Sequence, residues 1–350
     1  MKHSMLYFLA FLVIFVSCKK EDDNGPGEIW KDSVFITNEG PFAGGTGTVL
    51  AYNRETGEVS EDLFEPANGH PLGNVVQSLA IHNDLVWIAV NNSNLIEVVG
   101  LEDFKSVATI ENVTLPRYMV FTNDHAYVSC WDNTVKEINL ADFTVEQSLP
   151  AGTGPDEMVI FGDELFVVNS GGFGVDSSIS ILSTNDQEHY GLLHLGHRPA
   201  GIARDFNDKI WVLCSGKGWN GFPAPGDTPG KLICIDPDTR QILSELEFAD
   251  AGNHPDQLII NEDGNTLYFA YPDGIYAVSV SNPQLASIPF IPSATMYYAL
   301  GYDPVTDMIF ASDPIDYAQD GRIYRFNSAD GSAVDSFGAG IIPGSFWFNK

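Results

Sequence analysis

Seven short runs of one shape recur along this chain: SVFITN, LVWIAV, HAYVSC, ELFVVN, KIWVLC, TLYFAY and MIFASD. Each holds an aromatic ring at its third position: Phe35, Trp87, Tyr127, Phe166, Trp211, Tyr268 and Phe310. Successive rings lie 39 to 57 residues apart. That period is the length of a four-stranded antiparallel unit. A unit of this size cannot bury its own apolar face, so it must stack on its neighbours, and seven such units can close into a ring. The expected fold is all-β: a seven-bladed propeller of four-stranded antiparallel blades.

Within each copy the order of segments is constant. A strand often opened by proline comes first, as in PRYM at 116–119, PDEM at 155–158, PAGI at 199–202 and PDQL at 255–258. Proline is tolerated there because the first residue of a strand need not donate to the ladder. A polar turn leads to the aromatic-bearing strand. A third alternating run follows, such as TVLAY at 48–52 or LICI at 232–235, and ends in a tight turn rich in Asp, Asn and Gly. These are type I turn chemistries between antiparallel strands. The fourth strand is more polar. No long 3.6-residue periodicity occurs after residue 18, so helix content should be very low. The first copy lacks the opening strand, and IPGSFWF at 342–348 has the missing pattern. The C-terminal strand is therefore expected to complete the first blade as its innermost strand, which removes a free sheet edge.

The segments ahead of the repeats read differently. Residues 1–17, with Lys2 before a short apolar stretch and Ser17 before Cys18, read as a lipoprotein signal peptide, with Cys18 as the acylated residue. Residues 18–30 form the lipidated cysteine and a flexible tether, and residues 31–350 the propeller. The net charge of −30 repels phosphate backbones, which argues against nucleic acid as a partner. Cys130, Cys214 and Cys234 remain. A bridge between Cys214 and Cys234 is conceivable, but buried free thiols are the simpler expectation.

In a four-stranded meander, the inter-blade connections and the loops between second and third strands emerge on one face. Every long loop of this chain belongs to that group: residues 39–46, 170–176, 215–229 and 314–320. Long loops on a rigid scaffold usually carry function. They place aromatics among glycines, so Phe42, Phe173, Trp219 and Phe222 are candidate ligand-binding residues. Arg117, Tyr118, Trp131, Arg198, Tyr271, Tyr297, Tyr298 and Tyr317 are expected near the pore mouth. Such a set suits a bulky, partly apolar organic ligand or a protein surface. His70, His197 and His254 share the face but sit at different offsets, and Asp313, Asp316 and Asp320 lack the spacing of a calcium loop. Asp156, Glu157 and Asp256 could form a carboxylate cluster in the central channel. No GxSxG or HExxH motif is present. No catalytic residue, metal site or cofactor is indicated.

The Cys18 motif with its charged tail (Lys19-Lys20-Glu21-Asp22-Asp23), the proline-opened strands and the aromatic column together resemble the YncE-like seven-bladed propellers found as surface lipoproteins of Bacteroidetes. The resemblance implies lipid anchoring in the outer membrane, facing the cell exterior. One branch, the BtuG-like proteins, captures vitamin B12 beside a TonB-dependent transporter. The function expected from this resemblance is non-enzymatic capture of a small-molecule nutrient, a cobamide first among the candidates, for such a transporter. A metal-dependent lactonase or lyase, and an adhesion scaffold binding protein or glycan, are the alternatives.

Overall fold

A computed structural model describes Trp30, residues 32–185 and residues 189–349; the expected signal peptide and Cys18 lie outside the described residues. Seven antiparallel sheets radiate from a central axis. The seven innermost strands are Val76–His82, Pro116–Phe121, Pro155–Phe161, Pro199–Arg204, Asp256–Ile260, Ala299–Asp303 and Pro343–Phe348. Each packs on the next, and the last packs on the first, so the ring is closed. Among the described residues the only helix is Phe64–Asn68.

Closure follows the expected route. Pro343–Phe348, the final strand of the chain, runs antiparallel to Ser33–Asn38, with Phe35 opposite Trp347. Six blades have four paired strands, and in the first blade Ser33–Asn38 lies between Thr48–Asn53 and the C-terminal strand. The outer position of that blade is filled by residues 58–63. They meet Thr48–Asn53 through a bridge from Tyr52 to Val59 and three backbone bonds of 2.9 Å: Asn53 N–H to the Glu58 carbonyl, Ser60 N–H to the Ala51 carbonyl and Leu63 N–H to the Val49 carbonyl. Side chains complete the edge: Asp62 Oδ1 accepts the Val49 N–H at 3.1 Å and Ser60 Oγ the Ala51 N–H at 2.9 Å. The donors of an otherwise open edge are thus capped.

The aromatic column holds the blades to one another. All seven rings are 3% exposed or less. Each packs into the apolar set of the following blade. Phe35 lies with Val86 and Ile88, Trp87 with Ala126 and Val128, Tyr127 with Leu165 and Val167. Phe166 lies with Ile210 and Val212, Trp211 with Leu267 and Phe269, Tyr268 with Ile309 and Ala311. Phe310 closes the circle on Phe346 and Phe348, with centroids 5.9 and 5.3 Å away. An aromatic ring buries more apolar area than any other side chain, which suits it to fill wedges between radiating sheets.

The outer turns also follow from local chemistry. Asn53 Oδ1 accepts the N–H groups of Glu55 and Thr56 at 2.9 Å each, and Gly57, at φ +72°, closes the turn on the Asn53 carbonyl. The equivalent left-handed position is Phe143 in the third blade and Arg240 in the fifth. Cys130, Cys214 and Cys234 are buried free thiols, and Cys234 lies opposite Trp211 in the ladder rather than opposite Cys214.

Candidate functional site

At the top of each innermost strand the backbone does something that no motif announces. The residue just before the strand has positive φ in five blades: Val75, Leu115, Gly154, Arg198 and Ile342. The carbonyl of that residue accepts the N–H of the residue following the second strand, namely Asn91, Trp131, Ser170, Ser215 and Glu39, at 2.8 to 3.1 Å. A ladder irregularity then follows within the first residues of the strand, as between Pro116 and Met119 or Pro155 and Met158. Bulges of this kind re-aim side chains. Here they turn Gln77, Arg117, Tyr118, Asp156 and Glu157 toward the axis instead of into the sheets.

The result is a pocket of about 480 Å³ at the axial mouth. Its lining comes only from inter-blade connections, strand starts and second-to-third-strand loops, the face that carries the loops over residues 39–46, 170–176, 215–229 and 314–320; contrary to expectation one long connection, residues 280–290 between the third and fourth strands of the sixth blade, lies on the opposite face. Arg117 is part of the pocket lining. Its guanidinium stacks over Trp131 at 4.2 Å, pairs with Asp156 at 3.3 Å and donates to Gln77 Oε1. Arg198 stacks on Trp219 at 4.7 Å and donates to the Gly218 carbonyl at 3.1 Å. Tyr298 donates its hydroxyl to Glu39 Oε1 at 2.8 Å and meets Tyr317 edge-on at 5.7 Å.

Buried carboxylates dominate the electrostatics. Burial raises the Glu39 carboxyl above its ordinary range, although the Tyr298 hydroxyl and the Arg117 charge pull the other way. Burial pushes Asp256 up to about 6 against the bond from the Gln257 N–H. Burial, with the charge of Asp156, pushes Glu157 up to about 8. Glu157 lies below the pocket in a channel cavity of about 200 Å³ with Ser78, Tyr118 and Gln257.

Of the candidate residues, Arg117, Tyr118, Trp131, Arg198, Trp219, Tyr297, Tyr298 and Tyr317 line this one pocket. Phe173, 87% exposed, lies edge-on to Trp131 at 5.2 Å. Phe42 and Phe222 are exposed loop rings that do not line it. Tyr271 stands elsewhere: it is the last residue of its strand, in the column of Cys130 and Cys214, and stacks on Phe248 at 5.4 Å. One residue of register separates that column from the pocket column of Trp131 and Ser215. Sequence reading also passed over Glu39 and Gln77 as lining residues; the signal was their offset from the strand ends.

The three histidines do not converge. His70 is exposed against Phe64, His197 reaches Thr228 Oγ1 at 2.9 Å, and His254 alone is buried at the pocket wall. Asp313 and Asp316 accept N–H groups of their own turn. Among the described residues no group of three His, Cys, Asp or Glu side chains could hold a metal ion.

Residues 32–348 match the family described as a domain of unknown function, DUF5074. The chain belongs to this family. No curated protein matches it. Among solved structures, Kuenenia stuttgartiensis hydrazine synthase is similar at 12% identity with a TM-score of 0.59, over 78% of this chain and 80% of that one. The computationally designed Ika8 protein is similar at 11% identity and a TM-score of 0.59, over 89% and 90%. At such identities the likeness is one of fold. The family description assigns no chemistry, so function rests on the pocket of this DUF5074 member.

Proposed function

We propose that the protein is a non-enzymatic capture protein that seats a small, flat-sided, amphipathic molecule in the axial pocket, a cobamide first among the candidates. The observation that carries this reading is the convergence of six aromatic rings and two stacked guanidiniums on one pocket, on the face that bears the loops over residues 39–46, 170–176, 215–229 and 314–320. Aromatic walls with a few placed polar groups are the usual make-up of organic-ligand sites. The pocket volume seats part of a corrin, and the exposed rings of Phe42, Phe173 and Phe222 at the loop tips extend the apolar surface above it.

An anchor at Cys18 agrees with this reading. The Trp30 carbonyl accepts the Ser33 N–H at 3.0 Å at the opposite end of the blades, so a tether over residues 19–30 attaches away from the pocket. The ligand face then points outward from the membrane. Hand-over to a TonB-dependent transporter in the same outer membrane requires the propeller to turn on that tether.

Calorimetric titration of a chain beginning at residue 30 with cobalamin tests the proposal. One-to-one binding without turnover supports it; absence of heat and of any spectral change at micromolar concentration refutes it.

A further inference from the structure

We propose that this pocket takes its ligand through carboxamide groups on the ligand's edge, with His254 and Asp256 accepting the amide N–H and Trp131 donating to its oxygen. The inference rests on the reading of the pocket as a ligand site and names the chemistry it selects.

His254 is 4% exposed and lines the pocket. Its Nδ1 lies 3.0 Å from the Ser215 carbonyl oxygen. A carbonyl can only accept, so Nδ1 carries the proton and Nε2 of the neutral ring is a bare lone pair. That atom is buried and has no partner. The position is built. Asn220 of the long fifth-blade loop accepts the His254 N–H at 2.7 Å and donates to its carbonyl at 3.0 Å. Gly218, at φ +139°, passes so close that a Cβ there would stand 2.5 Å from Nε2. A side chain at 218 would collide with the imidazole and with Asp227, and glycine lets the loop pack against Nε2 without touching it.

Two residues further on, Asp256 accepts the Gln257 N–H at 2.9 Å and, among the described residues, has no cation within ion-pair distance, although the charges of Arg198 and Arg117 act on it from further away. The cations near it are engaged elsewhere: Arg117 with Asp156 and Gln77, Arg198 with the Gly218 carbonyl and the Trp219 ring. Trp131 also lines the pocket, and its Nε1 is a buried donor without a partner among the described residues. Buried polar groups are nearly always bonded, so orphans in a cavity wall mark where a ligand's polar atoms belong.

The two orphans and the Asp256 carboxylate together discriminate between ligands. They offer two acceptors and one donor, which a carboxamide matches and a carboxylate does not. Charge points the same way, because Glu39, Asp156 and Asp256 outnumber Arg117 and Arg198 in the lining. A site that cannot pair a ligand's polar atoms rejects that ligand far more strongly than it rejects a change of size.

Nicotinamide and nicotinate, flat rings of the same shape, make the test. Their binding to the chain from residue 30 is read by tryptophan fluorescence and by saturation-transfer NMR. Nicotinamide should bind about tenfold tighter. Asp256→Asn should narrow that preference, and His254→Leu should abolish nicotinamide binding with the melting temperature checked alongside. Equal binding, tighter nicotinate, or no binding of either overturns the inference. A chain that prefers nicotinamide but ignores cobalamin keeps this inference and loses the cobamide proposal.

Discussion

The Glu157 carboxyl faces a channel enclosed by innermost strands and receives a single bond, from the Ile202 N–H at 3.3 Å. Its folded pKa of about 8 lies above the ordinary 4.5. Asp256 shifts in the same sense, from 3.8 to about 6. Groups raised in this way contribute stability that is complete below their unfolded values and lost as pH rises through the folded ones. The melting temperature should therefore fall between pH 4.5 and about 8. Glu157→Gln, neutral throughout, should flatten that fall and melt a few degrees higher at the alkaline end. An unchanged profile would show that the channel water solvates the carboxylate fully. The cysteines give a second residue-scale expectation. Burial pushes the Cys214 and Cys234 thiols up to about 12. A thiol reagent should leave Cys130, Cys214 and Cys234 unmodified in the folded chain and label them on unfolding, because only the thiolate reacts.

At the scale of elements, the pocket depends on how each innermost strand begins. Val75 and Ile342 are β-branched residues at φ +59° and +55°. Such conformations cost on the order of 1–3 kcal/mol each and persist only where the surroundings impose them. Imposition comes from the bond between their carbonyl and the next element, and nothing in the residue types at 75 or 342 suggests it. Arg198 shares this column, which is why its guanidinium reaches the pocket. The loop over residues 215–229 was legible as an insertion, but its clasp on His254 through Asn220 was not, since the two are 34 residues apart. Replacing residues 217–227 with a short glycine-asparagine turn should leave the propeller folded and weaken ligand binding by about tenfold or more. A large loss of melting temperature in that variant would assign the loop to the fold instead.

At the scale of the molecule, closure concentrates at one seam. Arg54 of the first blade pairs with Asp303 of the seventh through bonds of 2.8 and 2.9 Å, and its remaining nitrogen holds the Asn349 carbonyl at 2.9 Å. The pair is almost fully buried, with side chains 4% and 0% exposed. Removing one partner of such a pair strands a charge and costs about 3–5 kcal/mol. Arg54→Ala should lower the urea midpoint by a corresponding amount, and the loss should exceed that of the exposed-pair variant Arg204→Ala. Repeat length, the aromatic column and the displaced C-terminal strand were enough to assign seven blades, their order and the closing strand. These depend on apolar period and strand count, which are local and read directly along a chain. The face of the four long second-to-third-strand loops followed from strand order by geometry, whereas the length of the 280–290 connection on the other face did not. Tertiary structure alone decided which side chains meet at the axis: that Trp131 stacks on Arg117, that Tyr271 stacks on Phe248 instead of lining the pocket, and that the His254 Nε2 is buried without a partner among the described residues. Those outcomes turn on one-residue shifts of register and on left-handed residues fixed by bonds between distant segments. Seven strands must converge before any of them is set.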